Sequence, residues 1–549
     1  MGWLEQNKIR RTNLPQIIAE RAAATPHEVM AYLVDGDSVT YGKFQQRVLD
    51  WASALRRQGV HEGDHVVTFT EARFDAYALW LALAWLGAVE APLNPAYRGG
   101  ILAHALRMSD GKLAVVSPAF LNRVRDVVAE APGLETVLVL DDGPIEPAAD
   151  PFRIIREGEA FAGLEPIDPT TLVAPQPHHI ACIIFTSGTT GPSKAVLVPW
   201  GQMIAAGYLG REDQANDDQF NMSESSVFYA FFPVFHMSGR YGLSIAMARA
   251  AKVAYRPIFS VDRFWDDVRQ YRCTHAQILS PMKAFLLNKP ERPDDRDHTL
   301  IAILGGPAGP IVQRFMERFG VRVRMGFGMT EIGGPLGTPW MATPPQSCGK
   351  PVVGPPGYEL RIVDENDNPV KPGESGELIV RTDDPWALNA GYYKMPEETA
   401  KAWRNGWFHT GDVLRVDDNG EYYFVDRRKD CIRRRGENIS SFEVENYVVE
   451  HAQVKEVAAV PYPTDFGEGE DEVKIFVVPR PGAPLSPEAL WSFLSTRMPK
   501  YMVPRFIEFT DALPRTEATE RVQKVKLKAL VNGARTWDAG EYRKAKQPA

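Results

Sequence analysis

Ile183-Ile-Phe-Thr186-Ser187-Gly188-Thr189-Thr190-Gly191-Pro192-Ser193-Lys194 is the stretch on which the reading of this chain turns. An apolar run suited to a buried strand passes directly into hydroxyls and glycines and ends on a lysine. Glycines let successive backbone N–H groups converge on one anion, hydroxyls add donors and the lysine adds charge, so the loop suits phosphate. It does not have Walker spacing, because Lys194 falls six residues after Gly188 and is followed by Ala195 rather than Ser or Thr. Taken alone, the same composition also serves a plain flexible turn.

Two further clusters share this chemistry. Met325-Gly326-Phe327-Gly328-Met329-Thr330-Glu331 sets a hydroxyl and a carboxylate side by side after a glycine turn, a pair able to hold a phosphate oxygen and the Mg²⁺ that neutralises it. Trp407-Phe408-His409-Thr410-Gly411-Asp412, followed after Gly420 by Phe424-Val425-Asp426-Arg427-Arg428-Lys429-Asp430, offers a carboxylate for ribose hydroxyls and an arginine for phosphate or ribose. Individually these are compatible with a turn and with surface ion pairs. Together with the first loop they describe a nucleoside phosphate site.

The surrounding chain is that of an ordinary globular protein. Its 549 residues exceed a typical domain several-fold, with 44% hydrophobic and 24% charged residues. The net charge of −8 gives no broad positive field, which argues against nucleic acid as a partner. Four scattered cysteines without a C-x-x-C pair argue against a disulfide framework or structural zinc, and fit a reducing compartment. No apolar run follows the basic residues of the N-terminus, so a cytosolic protein is expected rather than a secreted one. The uncharged stretch Ala76 to Val89 is too short to span a bilayer and reads as a buried helix.

Over the first 140 residues helical and extended signals alternate, the pattern of a layered α/β domain with parallel strands. Thr40 is placed to cap a helix in which Phe44, Val48, Trp51, Ala52 and Leu55 share one face. Strands follow at His65 to Thr70, Leu113 to Val116 and Val137 to Leu140, and Asp141 to Pro177 reads as a surface connection. From Tyr358 short strands split by turns suggest a β-rich subdomain. Beyond Asp430 about 120 residues carry their own helix and strand signals, enough for a separate α+β domain, with a polar tail from Val531 that is expected to be loosely held.

In order along the chain, Thr186 to Lys194, Phe232-Pro-Val-Phe-His236-Met-Ser-Gly239, Gly326 to Glu331, Tyr393 to Asp412, Asp426 to Asp430 and Arg435-Gly436-Glu437-Asn438-Ile439 resemble the adenylate-forming superfamily of acyl-CoA synthetases, nonribosomal adenylation domains and luciferases. Phe424-Val-Asp-Arg-Arg and the segment from Arg435 to Glu445 are most similar to the crotonobetaine/carnitine-CoA ligase type. The resemblance implies an α/β fold: a large N-terminal adenylation domain, 1–429, of two layered βαβ subdomains plus a small β-barrel, then a mobile α+β domain, 430–530, hinged near Lys429, and a tail, 531–549. It also implies two half-reactions, attack of a carboxylate on the α-phosphorus of ATP and then attack of the CoA thiol on the acyl-adenylate.

By position, Thr186, Ser187, Gly188, Thr189, Thr190, Gly191 and Lys194 would cradle the leaving phosphates, while Gly305, Gly306 and Pro307 would line the adenine. With Gly326, Phe327 and Gly328 leading into it, Thr330 would contact the α-phosphate and Glu331 would hold Mg²⁺. Asp412 would bind the ribose with help from Arg427, and His236 would gate the acyl site. Gly436 would line the pantetheine tunnel, and Arg433, Arg434 and Arg435 either meet CoA phosphates or form a solvated basic face. Where the superfamily usually has Gly-Lys near the C-terminus, this chain has Glu520-Arg521, with Lys524 beyond. Arg521 and Lys524 are therefore both candidates for the adenylation cation, though an arginine fork is larger and differently aimed than an ammonium. Arg240 and Lys283 could put positive charge near the acyl pocket, favouring a small or anionic acid.

The expected activity is ATP-dependent formation of an acyl-CoA from a small or medium polar carboxylic acid. The alternative keeps adenylation but changes the acceptor, as in an amide ligase or an ATP-dependent diazotase that activates nitrite, a small oxyacid. The oligomeric state is left open, with a homodimer compatible.

Overall fold

A computed structural model describes residues 12–141, 143–172, 174–186, 193–206, 220–305, 310–340, 347–352, 356–427, 432–434, 437–439, 441–463, 471–482, 484–498, 500, 502–515, 522–530 and 535–546. Ser187, Gly188, Thr189, Thr190, Gly191, Gly306, Pro307, Arg435, Gly436 and Arg521 lie outside them, and Arg427 and Arg433 are described in backbone only. The chain divides into two compact units, residues 1–360 with 380–408, and residues 361–379 with 409–549.

Two seven-stranded sheets organise the first unit. One runs in the order Arg153–Arg156, Thr136–Val139, Leu113–Val116, His65–Phe69, Val89–Pro92, Ile180–Thr186, Lys194–Pro199, parallel except for the last pair. Leu113-Ala-Val-Val116 is buried at every position, as a strand covered on both faces requires. The other sheet places Arg322–Arg324, Ala302–Leu304, His275–Gln277, Val227–Ala230, Lys252–Tyr255 and Val29–Leu33 in parallel, with Ser38–Thr40 antiparallel at its edge.

The helix Tyr41–Arg57 starts as the sequence predicts, with Thr40 Oγ1 accepting the Lys43 N–H at 3.3 Å. Two local readings differ. The helix expected over Ala76 to Val89 is Asp75–Trp85, because Gly87 takes a positive φ of 70° and turns the chain into the strand Val89–Pro92. Within the expected surface connection, Arg153–Arg156 adds an edge strand to the first sheet.

In the second unit, Asp412 to Val416 of the strand Trp407–Val416 pair antiparallel with Tyr422–Arg427, setting Asp412 opposite Arg427. A further four-stranded sheet, Val454–Pro463, Asp471–Pro479, Phe506–Phe509 and Trp537–Asp538, packs with the helices Ser441–Val449 and Pro487–Ser495 around Val444, Ile475, Val477, Leu490 and Leu494. The tail is tied rather than loose from Arg535 to Lys546. Trp537–Asp538 is the edge strand of that sheet, and Asp538 accepts Arg505 Nε and Nη2, each at 3.1 Å.

Candidate active site

The glycine- and hydroxyl-rich loop lies outside the described residues, between two strands that are described. Thr186 and Lys194 are direct partners in the antiparallel pair, so its two ends are fixed at the edge of a buried sheet. The segment Ala390–Tyr393 runs beside Lys194–Pro199 through Leu197 N to Gly391 O, 3.0 Å, and Tyr393 N to Ala195 O, 2.8 Å. That places Tyr392 under Lys194, whose Nζ lies 4.7 Å from the ring centroid and 2.7 Å from Glu398. Hydrogen bonds from Lys194 and Lys401 hold the Glu398 carboxyl well below its usual range, at about 2.

The same tyrosine reaches the second cluster. Tyr392 donates its hydroxyl to Glu331 Oε1 at 3.2 Å, and the Glu331 side chain is only 5% exposed. Asn389 N and Nδ2 each donate to the Glu331 carbonyl at 2.9 Å, while Gln202 Nε2 donates to the Thr330 carbonyl at 2.6 Å. Two glycines make the approach to this pair possible, since a Cβ at Gly328 would stand 2.3 Å from Gly333 O and one at Gly326 2.5 Å from Leu336 O. Phe327 lies between them in the strand Gly326–Met329. Lys194, Tyr392, Glu331 and Thr330 thus form one constellation, an ammonium and a carboxylate bridged by a phenol.

A single buried carboxylate suits Mg²⁺, which keeps several waters and takes one or two carboxylates together with phosphate oxygens. Among the described residues there is no group of three or more His, Cys, Asp or Glu able to hold a metal by themselves.

His236 is the N-cap of the helix Met237–Ala248, and its Nδ1 accepts the Ser238 N–H at 3.1 Å. Burial lowers its pKa to about 4, so the ring is neutral at physiological pH with its proton on Nε2. One turn on, Arg240 is 0% exposed. It donates Nη2 to Glu90 Oε2 and Nε to Val234 O, both at 2.6 Å, and lies 4.3 Å from the Trp80 ring centroid. Thr68 holds the other Glu90 oxygen at 2.6 Å. The Arg240 charge is therefore spent inside the fold, on a glutamate that the sequence reading did not single out.

Lys283 is also fully buried, but among the described residues its ammonium donates only to backbone: to Ile278 O and, at 2.7 Å, to Gly305 O. Gly305 itself stands at φ +114° just past the strand Ala302–Leu304.

In the second unit, Asp412 is buried and its N–H donates to Thr410 Oγ1 at 3.1 Å, while the Gly411 N–H donates to Glu377 Oε1 at 3.0 Å. Glu377 also lies 3.3 Å from His409 Nδ1. Asp426 accepts the Ser441 N–H at 2.7 Å. Lys524 pairs with Glu445 at 2.7 Å and with the Ser441 hydroxyl. Arg434 turns inward to Glu472 at 2.6 Å and to Val503 O at 3.0 Å.

Asn389, Tyr392, Gln202, Glu90 and Glu377 escaped the sequence reading, and Glu445 entered it only as the last residue of the motif that begins at Arg435. Only Tyr392 carried a signal, its place in the Gly391-Tyr-Tyr turn before Pro396.

Two sheets of mostly parallel strands, with the Lys194 ammonium joined through Tyr392 to the Thr330-Glu331 pair, define an α/β protein whose charges suit a phosphate ligand. Residues 18–393 match the family model described as AMP-binding enzyme, and residues 443–519 match the AMP-binding enzyme C-terminal domain. The chain belongs to the AMP-binding enzyme family. It is 29% identical over 497 residues to the crotonobetaine/carnitine–CoA ligase of Citrobacter koseri, covering 88% of this chain and 92% of that one. Its identity to the same-named ligase of Salmonella arizonae is 30% over equal shares of both chains.

Among solved structures, the fold matches the anthranilate CoA ligase AuaEII in complex with anthranoyl-AMP, with a TM-score of 0.82 and 22% identity over 95% of this chain and 97% of that one. It also matches ATP-bound MatB from Rhodopseudomonas palustris, with a TM-score of 0.80 and 23% identity over 95% and 99%. No helix among the described residues is long and apolar enough to cross a membrane.

Proposed function

We propose that this protein is an AMP-forming acid–thiol ligase that uses ATP to convert a small carboxylic acid to its acyl-adenylate and then transfers the acyl group to CoA. The observation that carries the reading is the Lys194–Tyr392–Glu331 constellation beside Thr330, within a chain that matches both family domains. Crotonobetaine/carnitine–CoA ligases resemble the chain over 88% of its length, which disfavours a non-CoA acceptor.

In the first half-reaction a carboxylate oxygen attacks the α-phosphorus and pyrophosphate leaves. The chemistry needs positioning and charge neutralisation rather than covalent help from the protein. Lys194 is at the end of the loop Ser187 to Gly191, whose N–H and hydroxyl groups we assign to the leaving phosphates, and Thr330 is assigned to the α-phosphate. Glu331 is the residue we assign to Mg²⁺, which when bound neutralises phosphate charge. Its carboxylate is kept in place by the Tyr392 hydroxyl and its backbone by Asn389. Gly305, Gly306 and Pro307 are assigned to adenine, and Asp412 with Arg427 to ribose. Neutral His236, with an N–H at Nε2, is suited to gate the acyl site without adding charge.

In the second half-reaction the thiol attacks the acyl carbon and AMP leaves, with Gly436 assigned to the pantetheine tunnel. Arg521 is our candidate for the adenylation cation, because Lys524 is engaged by Glu445 and Ser441. The domain division near residue 430 is retained as part of this reading. So is a cytosolic setting, which suits the three cysteines among the described residues, Cys182, Cys273 and Cys348, all buried and free.

Turnover of an acid labelled with ¹⁸O in its carboxylate tests the route. Adenylation leaves one labelled oxygen in the AMP released, because the acyl–oxygen bond breaks in the thiol step. Unlabelled AMP would contradict it.

A further inference from the structure

Lys194 opens the strand Lys194–Pro199 at the end of the phosphate loop, and an ammonium on a flexible four-carbon stem has no fixed place of its own. Here it is held from two sides. Glu398 Oε2 lies 2.7 Å from its Nζ, and the centroid of the Tyr392 ring lies 4.7 Å away. Among the described residues Nζ has no other acceptor, so of the three donors of an ammonium one goes to Glu398 and two are left for an incoming anion.

The local fold builds the placement of Glu398. It is the third residue of the helix Pro396–Ala402, in the turn that follows Tyr392. Thr399 ties that helix back to the tyrosine: the Tyr392 N–H donates to Thr399 Oγ1 at 2.9 Å, and Thr399 Oγ1 donates to Met395 O at 3.0 Å. Gly391 permits the approach, because it stands at φ +101° and a Cβ there would lie 2.7 Å from Thr399 Cγ2. One hydrogen-bonded turn therefore delivers both the ring and the carboxylate to Lys194.

The ion pair does little for the fold. Its side chains are 31% and 32% exposed, and pairs in that setting contribute little to stability. Its effect falls on where the ammonium sits. Since the Tyr392 hydroxyl donates to Glu331 Oε1, the series Glu398, Lys194, Tyr392, Glu331 sets the cation assigned to the leaving phosphates relative to the carboxylate assigned to Mg²⁺.

We infer that Glu398 is a positioning residue for adenylation, holding the Lys194 ammonium against the Tyr392 ring so that its two remaining donors meet the phosphates that leave as pyrophosphate. The inference rests on the ligase reading above and adds a residue to its first half-reaction. Lys401 pairs with the other carboxylate oxygen, Oε1, at 2.9 Å from a side chain that is 70% exposed, and it provides the control.

The test follows pyrophosphate release in wild type, Glu398→Gln, Lys194→Met, the double variant and Lys401→Met, with an acid that the wild type uses. Glu398→Gln keeps the size and removes the charge. It is expected to lower kcat for adenylation about 10-fold or more, the scale of a displaced reacting group, with the KM for ATP within about 3-fold and the thermal midpoint unchanged. In the Lys194→Met background the same change is expected to cost less than about 2-fold, because the group it places is gone. Lys401→Met, an exposed change, is expected to stay within about 2-fold of wild type. Wild-type kcat in Glu398→Gln would overturn the inference while leaving the ligase intact. So would an equal loss from Glu398→Gln with and without Lys194, a loss carried by the KM for ATP alone, or an equal loss in Lys401→Met. Absence of pyrophosphate release by the wild type with every acid would instead remove the ligase reading, and this inference with it.

Discussion

Glu331 is the residue on which the most chemistry converges. Its carboxylate accepts from Tyr392 and its carbonyl from Asn389, so the side chain is pre-positioned before any ligand arrives. Glu331→Gln keeps the size and the acceptor for Tyr392 but removes the charge. We expect a loss of roughly 10²–10³-fold in kcat, the scale of losing one preorganised electrostatic contact, with the thermal midpoint nearly unchanged. Wild-type turnover at saturating Mg-ATP would remove the metal role.

At this scale the motifs were legible and their supports were not. The Thr330-Glu331 pair stands out as adjacent hydroxyl and carboxylate. Asn389 and Tyr392 reach it only because Ala390–Tyr393 lies along Lys194–Pro199, a pairing that no local pattern announces.

Among elements, the helix Met237–Ala248 and the segment Ser441 to Lys524 carry the sharpest expectations. Arg240 ties the helix that His236 caps to Glu90 on the strand Val89–Pro92. Removing one member of a buried pair leaves an uncompensated charge, at a cost of about 3–5 kcal/mol. Arg240→Met should therefore lower the urea midpoint strongly, and adding Glu90→Gln should restore much of it. Equal midpoints for wild type and Arg240→Met would mean the pair is not holding this helix.

Lys524 makes the complementary case. Lys524→Ala strands Glu445, whose carboxyl burial already pushes upward, so both half-reactions should decline together. Arg521→Ala should slow ATP–pyrophosphate exchange while sparing thioester formation from a supplied acyl-adenylate. The reverse pattern would make Lys524 the adenylation cation.

Element reading from the sequence succeeded where burial is two-sided, as at Leu113–Val116. It failed where burial depends on distant partners. Glu90 interrupts the apolar pattern of Val89–Pro92 and is tolerable only because Arg240 and Thr68 meet it. Arg153–Arg156 is flanked by charges that an edge strand leaves at the surface.

For the molecule as a whole, the family resemblance located the α/β architecture and its smaller α+β unit, because spaced motifs survive where overall identity is near 29%. The tail at Trp537–Asp538 was not legible, since its pairing with Phe506–Phe509 depends on a strand far back in the chain.

Global stability offers a check on Lys283. Its pKa is depressed to about 7 in the folded protein, against 10.5 for the ordinary side chain. Between those values the unfolded chain binds more protons than the folded one, so this group's contribution to stability rises with pH, by up to about 1.4 kcal/mol per pH unit. Wild-type protein should gain stability relative to Lys283→Met as pH is raised from about 7 to about 9. A constant difference in thermal midpoint across that range would mean that the ammonium is solvated.

The central claim concerns the whole reaction, and mass spectrometry of the products tests it most directly. Purified protein is incubated with Mg-ATP, CoA and a pooled panel of small mono- and dicarboxylic acids, with nitrite and an aryl amine included. The account predicts a new CoA thioester that disappears when ATP is omitted, with AMP formed in equal amount. AMP released without any thioester, with CoA present, would contradict it.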